Sequence, residues 1–140
     1  MTFTQSISIC LQKYATFSGR ASRSEYWWFI LFTWILEILS TFVANAFFGV
    51  DTLAAMVADG LFSLSLLIPM LAVGARRLHD TNRSGWYQLL AIPAAGGIVM
   101  AVDVGANPLW GLTVLFWIPV VVWHASKGDP AENKHGVALN

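Results

Sequence analysis

Residues 26–48 read YWWFILFTWILEILSTFVANAFF, with Glu37 as the one charged residue and neither Gly nor Pro. About 20 predominantly apolar residues at a rise of about 1.5 Å each cross the hydrocarbon core of a bilayer. This stretch therefore reads as a transmembrane helix. Tyr26, Trp27 and Trp28 at its start stand where amphipathic rings anchor at headgroup level. Working outward, Gly49, Val50 and Asp51 form a tight outer turn, and a second span runs from Leu53 to Ala75. A polar loop follows from Arg76 to Gly85, then a short third span from Trp86 to Val102. Residues 103–107 make a second outer turn, in which Asn107 is placed as an N-cap before Pro108 at the first helical position. The fourth span, 108–123, ends near Trp123, and a polar tail occupies 124–140. Trp86, Tyr87, Trp110 and Trp123 add to the aromatic belts. Pro69, Pro93 and Pro119 lie within spans, where neighbouring helices absorb a kink. Ala94, Ala95, Gly96 and Gly97 give the third span a small face for close helix approach.

Upstream of the first span, Phe3, Ile7, Leu11 and Tyr14 recur at helical spacing between polar residues. They predict an amphipathic helix over 3–17 that lies in the membrane interface and is broken by Gly19, or else packs on its own loops. The fold class is all-α: an integral-membrane four-helix bundle of two helical hairpins with an N-terminal interfacial helix, and one membrane domain over 1–140.

Composition supports this class. Apolar residues make up 56% of the chain and charged residues 11%, against about a quarter charged in soluble domains. The formal net charge is zero, which gives no reason to expect nucleic acid. The charges are sorted by side. Lys13, Arg20 and Arg23 precede the first span, Arg76, Arg77 and Arg83 join the second to the third, and Lys127 and Lys134 follow the fourth. The two other connections carry Asp51 and Asp103 and no basic residue. Lys and Arg near membrane ends stay cytoplasmic, so both termini are expected on the cytoplasmic side. No charged start, short apolar core and cleavage site precede Tyr26, and the chain reads as full length and held by its own helices. Cys10 is the single cysteine, on the reducing side, so no intrachain disulfide is expected.

Polar residues within the spans need a reason, since they are costly there and face a bundle interior or a wet cavity. Thr33, Glu37, Thr41 and Asn45 form one stripe at steps of four, and Asp59 with Ser63 a shorter one. One reading is an ion or proton path. The other is structural, with a protonated Glu37 hydrogen-bonded across the bundle. Asp59, closer to the outer surface, is read as hydrated.

Three motifs converge on the inner face: FSGRASRSEYWW over 17–28, ARRLHDTNRSGW over 75–86 and KGDPAENKHG over 127–136. They place Arg20, Arg23, Glu25, Arg76, Arg77, His79, Asp80 and Arg83 together as candidates for holding an anion; the other reading is that the arginines only fix topology and pair with Glu25, Asp80, Asp129 and Glu132. The planar guanidinium suits bidentate binding of carboxylate or phosphate. The combination resembles the domain of unknown function family 805, from about Tyr14 to Gly136. The resemblance implies a small bacterial inner-membrane protein with several helices, and implies no activity.

The reading that follows is a non-catalytic interaction or anionic-lipid-binding module with membrane lipids as partners. The small helix faces also allow a homo-oligomer or a membrane-protein partner. The alternative is a small transporter or conducting subunit using the Thr33 to Asn45 stripe. An enzyme at the membrane surface ranks lower. His79 and Asp80 are adjacent and so do not face each other on a helix. No nucleophile elbow, P-loop or HExxH is present. A metal site from His79, Asp129 and His135 matches no standard spacing, and no cofactor is expected.

Overall fold

The computed structural model describes residues 1–92 and 114–139. Among them every regular element is helical: α1 (Phe3–Gln12), α2 (Arg23–Phe48), α3 (Leu53–Asp80), 3-10 helices at Gly85–Leu90 and Val114–Phe116, and α4 (Trp117–Ala125). The expected small face at Ala94–Gly97, Pro93, the second outer turn, the helix start at Asn107 and Pro108, and Trp110 lie outside the described residues. So do residues 93–102 of the third span and 108–113 of the fourth. The described chain divides into two units, Met1–Phe17 with Ser24–Val73, and Ser18–Arg23 with Gly74–Asn140.

In the first unit, α2 and α3 are each long and apolar enough to cross a membrane. Only 17% and 22% of their most apolar windows are buried, whereas the core helix of a soluble protein hides most of its apolar surface. Trp34, Ile38, Phe42 and Phe47 of α2 and Leu53, Met56, Leu61 and Leu64 of α3 are exposed. Nothing in 26–48 interrupts the helix before the expected turn, where Gly49 (φ 91°) and Asp51 (φ 56°) adopt left-handed backbone. Thr52 then opens α3, its hydroxyl accepting the Ala55 amide at 3.2 Å. The two helices run antiparallel, since Ser40 of α2 meets Asp59 while Glu37, earlier in α2, meets Ser63, later in α3. Pro69 is buried inside an uninterrupted α3.

The N-terminal helix is shorter than the expected 3–17. A capping box at Thr2 and Gln5 opens it, and Lys13 closes it with its amide on the Ile9 carbonyl at 2.9 Å. The residues that follow, with Tyr14, Thr16 and Phe17 among them, are weak helix formers. The Tyr14 hydroxyl instead donates to the Ser65 carbonyl. The buried positions of α1 are Ser6 and Cys10 rather than the expected apolar row, of which Leu11 and Tyr14 are exposed. Phe3 packs edge-on against Trp28 and Phe32 at 5.7 and 6.4 Å.

In the second unit, the expected loop from Arg76 to Gly85 begins five residues late. Residues 76–80 continue α3, and the turn starts at Thr81. Sequence polarity suggested a loop, but Arg76, Arg77 and Leu78 are buried and the Arg77–Asp80 pair lies on one helix face. Pro119 falls in the first turn of α4, where a missing N–H costs nothing.

Candidate functional site

The end of α3 gathers the polar side chains. Arg20, from the lead-in before α2, donates from Nε to Asp80 Oδ1 at 2.8 Å. Arg77, one helical turn before Asp80, donates from Nη1 to the other carboxylate oxygen. Asp80 is therefore gripped from two sides, with all three side chains buried. An uncompensated charge at such a place is expensive, so a carboxylate shared by two guanidiniums is the arrangement that permits their burial.

The remaining guanidinium N–H groups reach main-chain carbonyls. Arg77 donates from Nε to the His124 carbonyl at 2.9 Å, from Nη2 to that of Ser126, and from Nη1 to that of Ala21 at 3.4 Å. Arg20 donates from Nη1 to the Ala131 carbonyl at 2.8 Å and that of Gly136 at 3.3 Å, and from Nη2 to that of Asp129. These two side chains thus tie the lead-in, the end of α3 and the segment after α4 into one network. Main-chain bonds repeat the connection: Ala21 N–H donates to the Arg76 carbonyl at 3.0 Å and Asp129 N–H to the Asp80 carbonyl at 2.7 Å. The tail, expected as a polar segment whose 127–136 motif meets the two arginine loops, is docked on Arg20, Arg77 and Asp80.

Gly128 shows how close the docking is. A Cβ there would overlap the Asp80 carboxylate. Gly128→Ala is expected to loosen the tail at about 1–3 kcal/mol, the usual range for overpacking. Trypsin cleavage after Lys127 and Lys134 in the full-length variant, faster than in the wild type, checks this; equal rates would refute it.

Other expected members take different places. His79 lies with Nδ1 at 3.1 Å from the Gly19 carbonyl, and its ring stacks on His135 with centroids 3.8 Å apart and planes 5° from parallel. Arg83 turns to the Thr81 carbonyl at 3.2 Å and lies over the Trp123 ring at 5.4 Å, where Tyr87 also packs. Arg76 is buried, and Arg23 is exposed at the start of α2. Glu25 belongs to the packing of α1 on α2, where it faces the Cys10 thiol at 3.8 Å. The side chains weighed as metal ligands do not converge. His79 and His135 present parallel faces, Asp129 Oδ1 accepts the Ala131 amide at 3.1 Å, and no cluster of three such groups exists among the described residues.

Beside the network opens a polar cleft of about 360 Å³, lined on one side by Ser22, Arg23, Arg77 and Asp80 and on the other by the tail from Lys127 to Pro130. Arg23, Arg77 and Lys127 there outnumber the carboxylates of Asp80 and Asp129. Arg23 and Lys127 are the exposed cations of this set. The apolar groove of about 610 Å³ along α2, lined by Ile38, Thr41, Phe42 and Asn45 among others, is a different surface.

Within the spans, Glu37 and Asp59 hold helices together. Ser63 donates to Glu37 Oε2 at 2.7 Å, and Ser40 and Thr41 donate to the two oxygens of Asp59 at 2.6 and 3.0 Å. Asp59, expected to be hydrated, is thus a rung between α2 and α3. Thr33, buried, donates to the Ile30 carbonyl of its own helix at 2.9 Å. Asn45 stays on the rim of the apolar groove.

Comparison with known proteins gives the following. The family model described as Protein of unknown function (DUF805) matches residues 14–137. Inner membrane protein YhaH of Escherichia coli K12 is 32% identical over 131 residues, covering 90% of this chain and 88% of that protein. Inner membrane protein YhaI of the same strain is 39% identical over 127 residues, covering 90% of this chain and 87% of that one. No solved structure matches.

Proposed function

This chain belongs to the DUF805 family of proteins of unknown function, and on that premise we propose that it is a non-catalytic inner-membrane module whose basic cleft holds the phosphate of an anionic lipid. Its four spans form a bundle of two helical hairpins, with both termini on the cytoplasmic side. Support for the membrane placement comes from the two apolar helices, from relatives that are named inner membrane proteins, and from the sorting of Lys and Arg onto one side.

The observation that carries the reading is a division of labour among the basic residues. Arg20 and Arg77 spend their donors on Asp80 and on tail carbonyls. Arg23 and Lys127 stand exposed at the cleft, and it is they that meet the headgroup. This narrows the anion-binding set expected from sequence. The acid–base reading of His79 and Asp80 loses support for the same reason, since Asp80 is held by two guanidiniums.

A basic side chain at an anionic leaflet contributes about 1 kcal/mol. Replacing both Arg23 and Lys127 by Ala should therefore weaken retention of phosphatidylglycerol roughly tenfold to thirtyfold. Native mass spectrometry of protein released from vesicles containing that lipid reads the effect, with phosphatidylcholine vesicles as the neutral reference. Retention equal to that of the wild type would refute the assignment.

A further inference from the structure

We infer that the stacked rings of His79 and His135 form a proton-sensitive latch that holds the 131–136 turn on the end of α3. The turn is built around Asn133 and Gly136, whose main chains exchange hydrogen bonds of 3.1 and 3.0 Å. It is held at three points, two of them on α3 and one on the lead-in. Asn133 Nδ2 donates to the His79 carbonyl at 3.0 Å. Arg20 donates to the Ala131 and Gly136 carbonyls. The third point is the ring stack, at 3.8 Å between centroids. Asn133 also orients its neighbour, since its Oδ1 accepts the His135 amide at 2.9 Å.

The stack is built for neutral rings. His135 Nε2 is buried and has no hydrogen-bond partner, so a proton added there finds no acceptor. The groups that face it are cationic or become so in acid: His79 from α3, Arg20 from the lead-in and Lys134 from the turn itself. The nearby carboxylates are engaged elsewhere, Asp80 by Arg20 and Arg77 and Asp129 by the Ala131 amide, while Glu132 is exposed. Burial first, then His79, Lys134 and Arg20, push the His135 imidazolium below the ordinary histidine range. The sign follows directly. The docked ring binds a proton less readily than the released one, so acid favours release. Docking is complete above the ordinary value of about 6.5 and declines as pH falls below it. Two imidazolium rings face to face cannot both be accommodated beside Arg20 and Lys134. Neither the family membership nor the anion-binding reading is needed for this step, because the contacts are intramolecular.

Hydrogen exchange on the full-length protein in detergent tests it, reading the amides of Asp129, Asn133 and Gly136 at about pH 7.5 and about pH 5 after correction for intrinsic exchange. Protection should be lower at the lower pH. In His135→Phe, which keeps an aromatic face and cannot take a proton, protection should persist at both. Protection that does not depend on pH in the wild type, or that falls equally in His135→Phe, overturns the proposal. Should that variant not dock at neutral pH, ring-proton NMR of the wild type decides. The His135 ring must titrate together with the loss of protection; a ring that stays neutral through that loss overturns the latch.

Discussion

Replacing Asp80 by Ala should destabilise the protein by about 3–5 kcal/mol, the range for removing one partner from a buried ion pair. The carboxylate sits between Arg20 Nε and Arg77 Nη1, and all three side chains are buried. Without it two guanidinium charges remain in place with only dipolar acceptors, so the variant must either bear the charges uncompensated or let the tail go and admit water. Unfolding of the detergent-solubilised protein reads the total loss, and trypsin sensitivity after Lys127 distinguishes tail release from global unfolding. A loss below about 1 kcal/mol would show the pair to behave like an exposed surface ion pair and would contradict the described burial.

Arg77→Lys is the second large effect, and it separates two roles of a basic residue. If Arg77 served only to hold its loop on the cytoplasmic side, Lys would do equally well, since the orientation rule counts both alike. Its geometry demands more. Three nitrogens of one planar group reach the carbonyls of His124, Ala21 and Ser126 as well as Asp80. A lysine offers all its donors from one point and cannot span that set. At about 1–3 kcal/mol for each buried group left unsatisfied, and with one or two carbonyls stranded, the expected cost is roughly 1–6 kcal/mol. A topology assay with reporters fused at the C-terminus should meanwhile be unchanged. Wild-type stability in Arg77→Lys would reduce the residue to a topological charge.

These residues also show what could be read from sequence. The apolar run of 26–48 announced α2 and its end at Gly49, because bilayer length and left-handed turn residues both leave local marks. The start of α3 was equally legible. Its end was not. Arg76, Arg77, His79 and Asp80 look like a solvated loop by composition, yet they are helix, and contacts from both the lead-in and the tail meet Arg77 and Asp80. The tail was illegible for a related reason: what it offers Arg20 and Arg77 are main-chain carbonyls, which no side-chain type advertises. The Gly, Pro and Asn content of KGDPAENKHG was the available clue to a tightly turned segment. Grouping by topology brought Arg20, Arg77 and Asp80 together correctly, but it had no means of sending Arg83 to Trp123 or Glu25 to Cys10. For Asp59, depth alone says nothing of the Ser40 and Thr41 hydroxyls that meet it from the neighbouring helix.

The network around Asp80 also fixes an order of events during synthesis. Its contributors lie near positions 20, 80 and 130, so the carbonyls that complete it leave the ribosome after both the arginines and Asp80. Arg20 and Arg77 can find Asp80 early, but they find the His124, Ser126 and Ala131 carbonyls only after everything between has been synthesised. Long sequence separation makes this closure late and dependent on all earlier steps. A chain truncated at residue 125, or one with a span inserted the wrong way, would expose the donors that the tail covers. Closure of the arginine network is in that sense a late event that depends on everything made between residues 20 and 136.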